Sequence, residues 1–88
     1  MPTLKVFTLP KCPNCPAAKK VAKTIAEKLG IDYQEVDMAN ENGRLEGLML
    51  QIASTPTIVL DDEVLFRSKV PTEEELEKEI KGLLGKEE

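Results

Sequence analysis

Cys12 and Cys15 are the only thiols in the chain, and they lie three positions apart in the run Lys11-Cys12-Pro13-Asn14-Cys15-Pro16. Two thiols at that spacing can close a disulfide, exchange it with another disulfide, or hold a soft metal. A bridge between them encloses too short a loop to remove much chain entropy, so stabilising the fold is a poor reason for the pair. Disulfide frameworks use several cysteines joined across long loops. The alternative reading is a metal-binding module or metallochaperone. Structural zinc takes four Cys or His ligands, and this chain supplies two cysteines and no histidine, so only a dimer would gather four thiolates. Thiol–disulfide exchange is the preferred chemistry, and it calls for no metal and no resident cofactor.

Exchange needs a sulfur kept as thiolate near neutral pH, so the surrounding elements matter. Residues 3–9, Thr-Leu-Lys-Val-Phe-Thr-Leu, read as a strand rich in β-branched and large apolar residues. Apolar residues in both alternating sets suit a central strand covered on both faces. Pro10 and Lys11 break it. From Cys15 to Leu29, Ala18, Val21, Ala22, Ile25 and Leu29 recur at helical spacing, and Gly30 follows as a stop. The cysteines therefore sit where a strand hands over to a helix. Free N–H groups and the positive end of the helix dipole favour a negative sulfur there, and Lys11 adds a positive charge.

The spacing divides the labour. With Cys12 at the cap and Pro13 in the first helical position, Cys15 falls inside the first turn and is less exposed. Cys12 is then the attacking thiolate, and Cys15 resolves the mixed disulfide. Pro16 is expected to distort the first turn, because it removes an early N–H.

Residues 31–37 read as a second strand. Residues 41–52 read as a helix capped by Asn40, with Leu45, Leu48, Met49 and Ile52 on one side and weakened by Gly43 and Gly47. Thr57–Leu60 and Val64–Phe66 flank Asp61-Asp62-Glu63 as a hairpin. Thr72 and Glu75 form a capping box before Leu76, Ile80, Leu83 and Leu84, and Gly85 is expected to end that helix ahead of a frayed tail. The order β-α-β-α-β-β-α implies an α/β fold with a parallel βαβ start and an antiparallel hairpin. A four-stranded mixed sheet with helices on both faces would bury these stripes.

The 88 residues suit one domain spanning 1–88, and 41% apolar with 32% charged residues is ordinary for a globular protein. The net charge of −4 argues against nucleic acid as a partner. No apolar run reaches the ~18 residues of a membrane span. The N-terminal run is too interrupted for a signal peptide, so a cytoplasmic location is expected.

The run from Cys12 to Lys19 after an initial strand, together with Thr55-Pro56-Thr57-Ile58-Val59, resembles the thioredoxin fold. The chain is most similar to the short thioredoxin- and glutaredoxin-like proteins of archaea, across Leu4 to about Leu84. The resemblance implies that Pro56 is a cis-proline opening the third strand beside the disulfide. It implies that Thr55 offers backbone hydrogen bonds to a bound substrate. Lys11, Pro13 and Asn14 would shape the motif. Implied partners are disulfide-containing proteins and a flavoenzyme resembling thioredoxin reductase, and the chain is expected to act as a monomer. There are departures. Lys11 replaces the usual Trp, and residues 3–9 carry no buried acid, so the proton acceptor for Cys15 is unassigned. Lys19 reads as a solvated lysine. Asn14 replaces the glutaredoxin aromatic residue, and no Gly-Gly pair follows the hairpin, which weighs against glutathione. Arg67 and Lys69 read as solvated charges.

Overall fold

The computed structural model describes residues 2–86. Its elements are β1 (Thr3–Thr8), α1 (Cys15–Leu29), β2 (Asp32–Asp37), α2 (Glu41–Met49), β3 (Thr57–Leu60), β4 (Glu63–Arg67) and α3 (Glu73–Lys86). The sheet order is β2-β1-β3-β4. β1 and β2 are parallel, while β3 runs antiparallel to both β1 and β4. This is the mixed α/β thioredoxin architecture anticipated above.

Alternation along β1 sorts the core into two clusters. Leu4 and Val6 face α1 and α3, where they pack with Ala18, Ala22, Ile25, Ile58, Leu76 and Ile80. Alanines at the contact let α1 lie close to the sheet. Phe7 points the other way, into a smaller cluster with Val36, Ile52 and Val59. Across the first cluster, Lys28 and Lys81 each donate to Glu77 at 2.8 Å and hold its carboxyl down to about 2.

Local signals account for most of the boundaries. Gly30 ends α1 with φ 68°, and its N–H returns to the last carbonyls of the helix. Asn40 caps α2 by accepting the Asn42 N–H at 3.1 Å. In front of α3 the capping box is reciprocal. The Glu75 N–H donates to Thr72 Oγ1, and the Thr72 N–H donates to Glu75 Oε1, both at 3.1 Å. α3 runs on to Lys86, one residue past Gly85, a shift within the normal fraying of a helix end. Of the tail expected to fray, Gly85-Lys86-Glu87-Glu88, the first two residues continue the helix and the last two lie outside the described residues.

α2 departs from expectation. It stops at Met49, and Leu45, Leu48 and Met49 point into solvent. The face against the sheet is instead Gly43 and Gly47, both buried. A Cβ on Gly43 would overlap the Asp37 carbonyl, and one on Gly47 would meet Met38 Cε at 2.9 Å. Close approach to backbone needs glycine at position 43, and Gly47 leaves room for the Met38 side chain, so the two residues read as weak points are the contact itself. Ile52 still reaches the core from beyond the helix, at 4% exposure. Gln51, at φ 59°, turns the chain there.

Candidate active site

β1 ends at Thr8, and the chain turns at once. The Cys12 N–H donates to the Leu9 carbonyl at 3.2 Å, closing a turn with Pro10 at its favoured second position. Lys11, Pro13 and Asn14 are exposed on the loop that follows. The α1 helix begins at Cys15 with Asn14 as its N-cap, so neither Cys12 nor Pro13 holds the place assigned to it from spacing. The reason is Pro16. It occupies the opening turn, where an N–H has no helical partner in any case. The first helical bond runs from the Ala18 N–H to the Asn14 carbonyl at 3.1 Å. Pro16 therefore starts the helix rather than distorting it.

Cys12 and Cys15 are joined in a disulfide with their Cα atoms 5.4 Å apart, within the range such a bond requires. Their access differs. Cys12 is half-buried at the rim, whereas Cys15 is 2% exposed and packs as a core residue. No side chain caps the N-terminus of α1, so the dipole there is free to favour a thiolate.

A cleft of about 240 Å³ opens beside the disulfide. Both cysteines, Pro16 and Lys19 line it from the helix side, and Thr8 and Asp37 from the strand ends. Parallel pairing sets Thr8 directly against Asp37. The Met38 N–H donates to the Thr8 carbonyl at 2.8 Å, which pins the end of β2 to the cleft. Lys19 keeps its side chain partly in solvent, as expected, while lining the cleft. Its ammonium lies 3.8 Å from Glu35, and its carbonyl accepts the Tyr33 hydroxyl at 3.4 Å. Burial, and then the Glu35 carboxylate at 3.0 Å, push the Tyr33 phenol well above its ordinary value, so it keeps the proton it donates.

Thr55 and Pro56 reach the same end of the sheet by another route. Phe7 pairs with Thr57 across β1 and β3, which brings Pro56 to the end where β1 runs into the motif. The Thr55–Pro56 peptide bond is cis. Pro56 is fully buried and Thr55 half-buried. Thr57 Oγ1 donates to the Ser54 carbonyl at 2.7 Å, and the Ser54 and Ser68 hydroxyls hydrogen-bond. Neither Thr55 nor Pro56 lines the cleft itself. Arg67 and Lys69 are both exposed, as expected of solvated charges. Arg67 donates to the Gln51 carbonyl at 2.8 Å. Lys69 pairs with Glu75 at 3.0 Å and sits 5.4 Å from the Phe66 ring centre.

Asp37 and Thr8 were missed from sequence. The signal was present, because a parallel βαβ start sets the end of the second strand beside the end of the first.

Comparison with known proteins agrees with this geometry. The family described as a thioredoxin domain matches residues 3–81. The chain is 36% identical to a probable thioredoxin of Archaeoglobus fulgidus, over 100% of this chain and 96% of that protein. It is 39% identical to a thioredoxin of Methanocaldococcus jannaschii, over 92% of this chain and 94% of that one. Among solved structures, a thioredoxin-like protein from Clostridium perfringens superposes with a TM-score of 0.78 at 16% identity, covering 94% of this chain and 71% of that one. Thioredoxin 1 from Thermosipho africanus gives 0.72 at 22% identity, covering 94% of both. These two show a shared fold. The family match and the relatives go further: the chain belongs to the thioredoxin family and is a small thiol–disulfide oxidoreductase.

Proposed function

We propose that the protein reduces disulfides in other proteins by dithiol exchange through Cys12-Pro13-Asn14-Cys15. The observation that carries this reading is the unequal access of two bonded sulfurs at one helix start: Cys12 at the rim, Cys15 2% exposed behind it. In the reduced protein the Cys12 thiolate attacks a substrate sulfur, and one substrate thiolate leaves. Cys15 then attacks Cys12 Sγ, releases the second substrate thiolate and closes the Cys12–Cys15 bond. Two electrons pass from the dithiol to the substrate.

The loop at Thr55 and Pro56 receives the substrate backbone as an added strand-like segment. Support comes from its position at the motif end of β3 and from the Ser54 and Thr57 bonds that brace it. Lys11, Pro13 and Asn14 form the exposed rim that the substrate meets. A thioredoxin-reductase-like flavoenzyme recharges the disulfide, and the protein acts as a cytoplasmic monomer. Among the described residues, no helix is long and apolar enough to cross a membrane.

Insulin reduction tests the reading. Cys12→Ser abolishes turnover, and Cys15→Ser accumulates a mixed disulfide that gel analysis detects. Full activity in Cys12→Ser overturns the assignment. Coupling to NADPH through a purified thioredoxin reductase, compared with glutathione and its reductase, identifies the electron source.

A further inference from the structure

Resolution by Cys15 requires its thiol proton to leave, yet Cys15 is 2% exposed and residues 3–9 contain no acid. We propose that Asp37 is the base for this step. This rests on the dithiol reading above and names the residue that completes it.

Three observations support it. Among the described residues, Asp37 is the only carboxylate lining the cleft and Lys19 the only ammonium. The parallel register with Thr8 and the Met38–Thr8 bond fix the end of β2 in place. One oxygen of Asp37, Oδ1, accepts the Ala39 N–H at 2.9 Å, which orients the carboxylate. The cleft has room for several waters, so a single water suffices to relay the proton.

In the mixed disulfide, Cys12 Sγ is bonded to a substrate sulfur. The Cys15 proton passes through water to the Asp37 carboxylate, and the Cys15 thiolate attacks Cys12 Sγ. The bond from Cys12 to the substrate breaks, and the substrate thiolate leaves with the electron pair. Asp37 then returns the proton to that thiolate or to solvent. Other charged groups near Asp37 have partners of their own. Glu35 on the same strand faces Lys19. Glu46 of α2, which shares a second groove with Asp37, pairs with Lys5 at 2.5 Å.

The test is stopped-flow reaction of the reduced protein with dithiobis(nitrobenzoate). The first chromophore release reports Cys12 attack and the second reports Cys15 resolution, an assignment checked by loss of the second phase in Cys15→Ser. Asp37→Asn keeps an oxygen for the Ala39 N–H but removes the base. It slows the second phase relative to the first by about tenfold or more at pH 7, and Asp37→Glu recovers part of the loss. Asp32→Asn, at the far end of the same strand, leaves the ratio unchanged. In the unaltered protein the second phase falls by much less than tenfold per pH unit below about 8.5, because a base inside the cleft takes the proton within the step instead of hydroxide taking it beforehand. A ratio unchanged in Asp37→Asn overturns the proposal. So does a wild-type second phase that falls tenfold per pH unit below about 8.5, and this holds even where the variant does not fold. Absence of the first phase in wild-type protein fails the dithiol reading, and the Asp37 role falls with it.

Discussion

The two faces of the sheet are built on different principles. One face carries α1 and α3 on a filled apolar cluster, in which the α1 alanines interleave with Ile25, Ile58, Leu76 and Ile80, all four at 0% exposure. The other carries α2 on two glycines, with Leu48 and Met49 at 65% and 84% exposure on its outer side. The first face fixes the start of α1, and with it the buried Cys15. The second fixes the end of β2, and with it Asp37. One half of the site is thus held by volume and the other by backbone proximity.

Three variants probe that contrast. Ile25→Ala removes a large side chain from the filled face and costs about 2–5 kcal/mol in chemical denaturation. A cost under about 1 kcal/mol would show that this face collapses to heal the cavity. Gly43→Ala inserts one methyl group against the Asp37 carbonyl. Helix propensity alone would favour alanine by about 1 kcal/mol, but overpacking outweighs it and the net loss is about 1–3 kcal/mol. A gain in melting temperature would break the comparison by showing that α2 can shift. Leu48→Ser with Met49→Ser changes denaturation stability least, within about 0.5 kcal/mol for each substitution. A larger loss would mean that the outer side of α2 is covered in solution.

Much of the fold was legible because local chemistry and packing agree. The alanine-rich stripe, Gly30, Asn40 and the Thr72–Glu75 box each mark an element by a mechanism that needs no distant contact. α2 was misread for a physical reason. Its leucines and glycines occupy opposite sides, and periodicity alone does not say which side meets the sheet. Side-chain size suggested the leucines, whereas close approach to Asp37 and Met38 selected the glycines. At the site, the cysteine pair and Thr55-Pro56 were readable as motifs. The helix start was not, because Pro13 and Pro16 can each occupy an opening turn. Asp37 was hidden because its place depends on strand register rather than on any neighbour in sequence.

β2 is an edge strand, hydrogen-bonded only to β1. An open edge is a template on which other chains can polymerise as added strands. Here it carries Asp32, Glu35 and Asp37 within six residues. A second copy laid along it would bring acid against acid, and like charges on facing strands repel. The acidic end that brings a carboxylate to the cysteines therefore also makes this border a poor seed for aggregation.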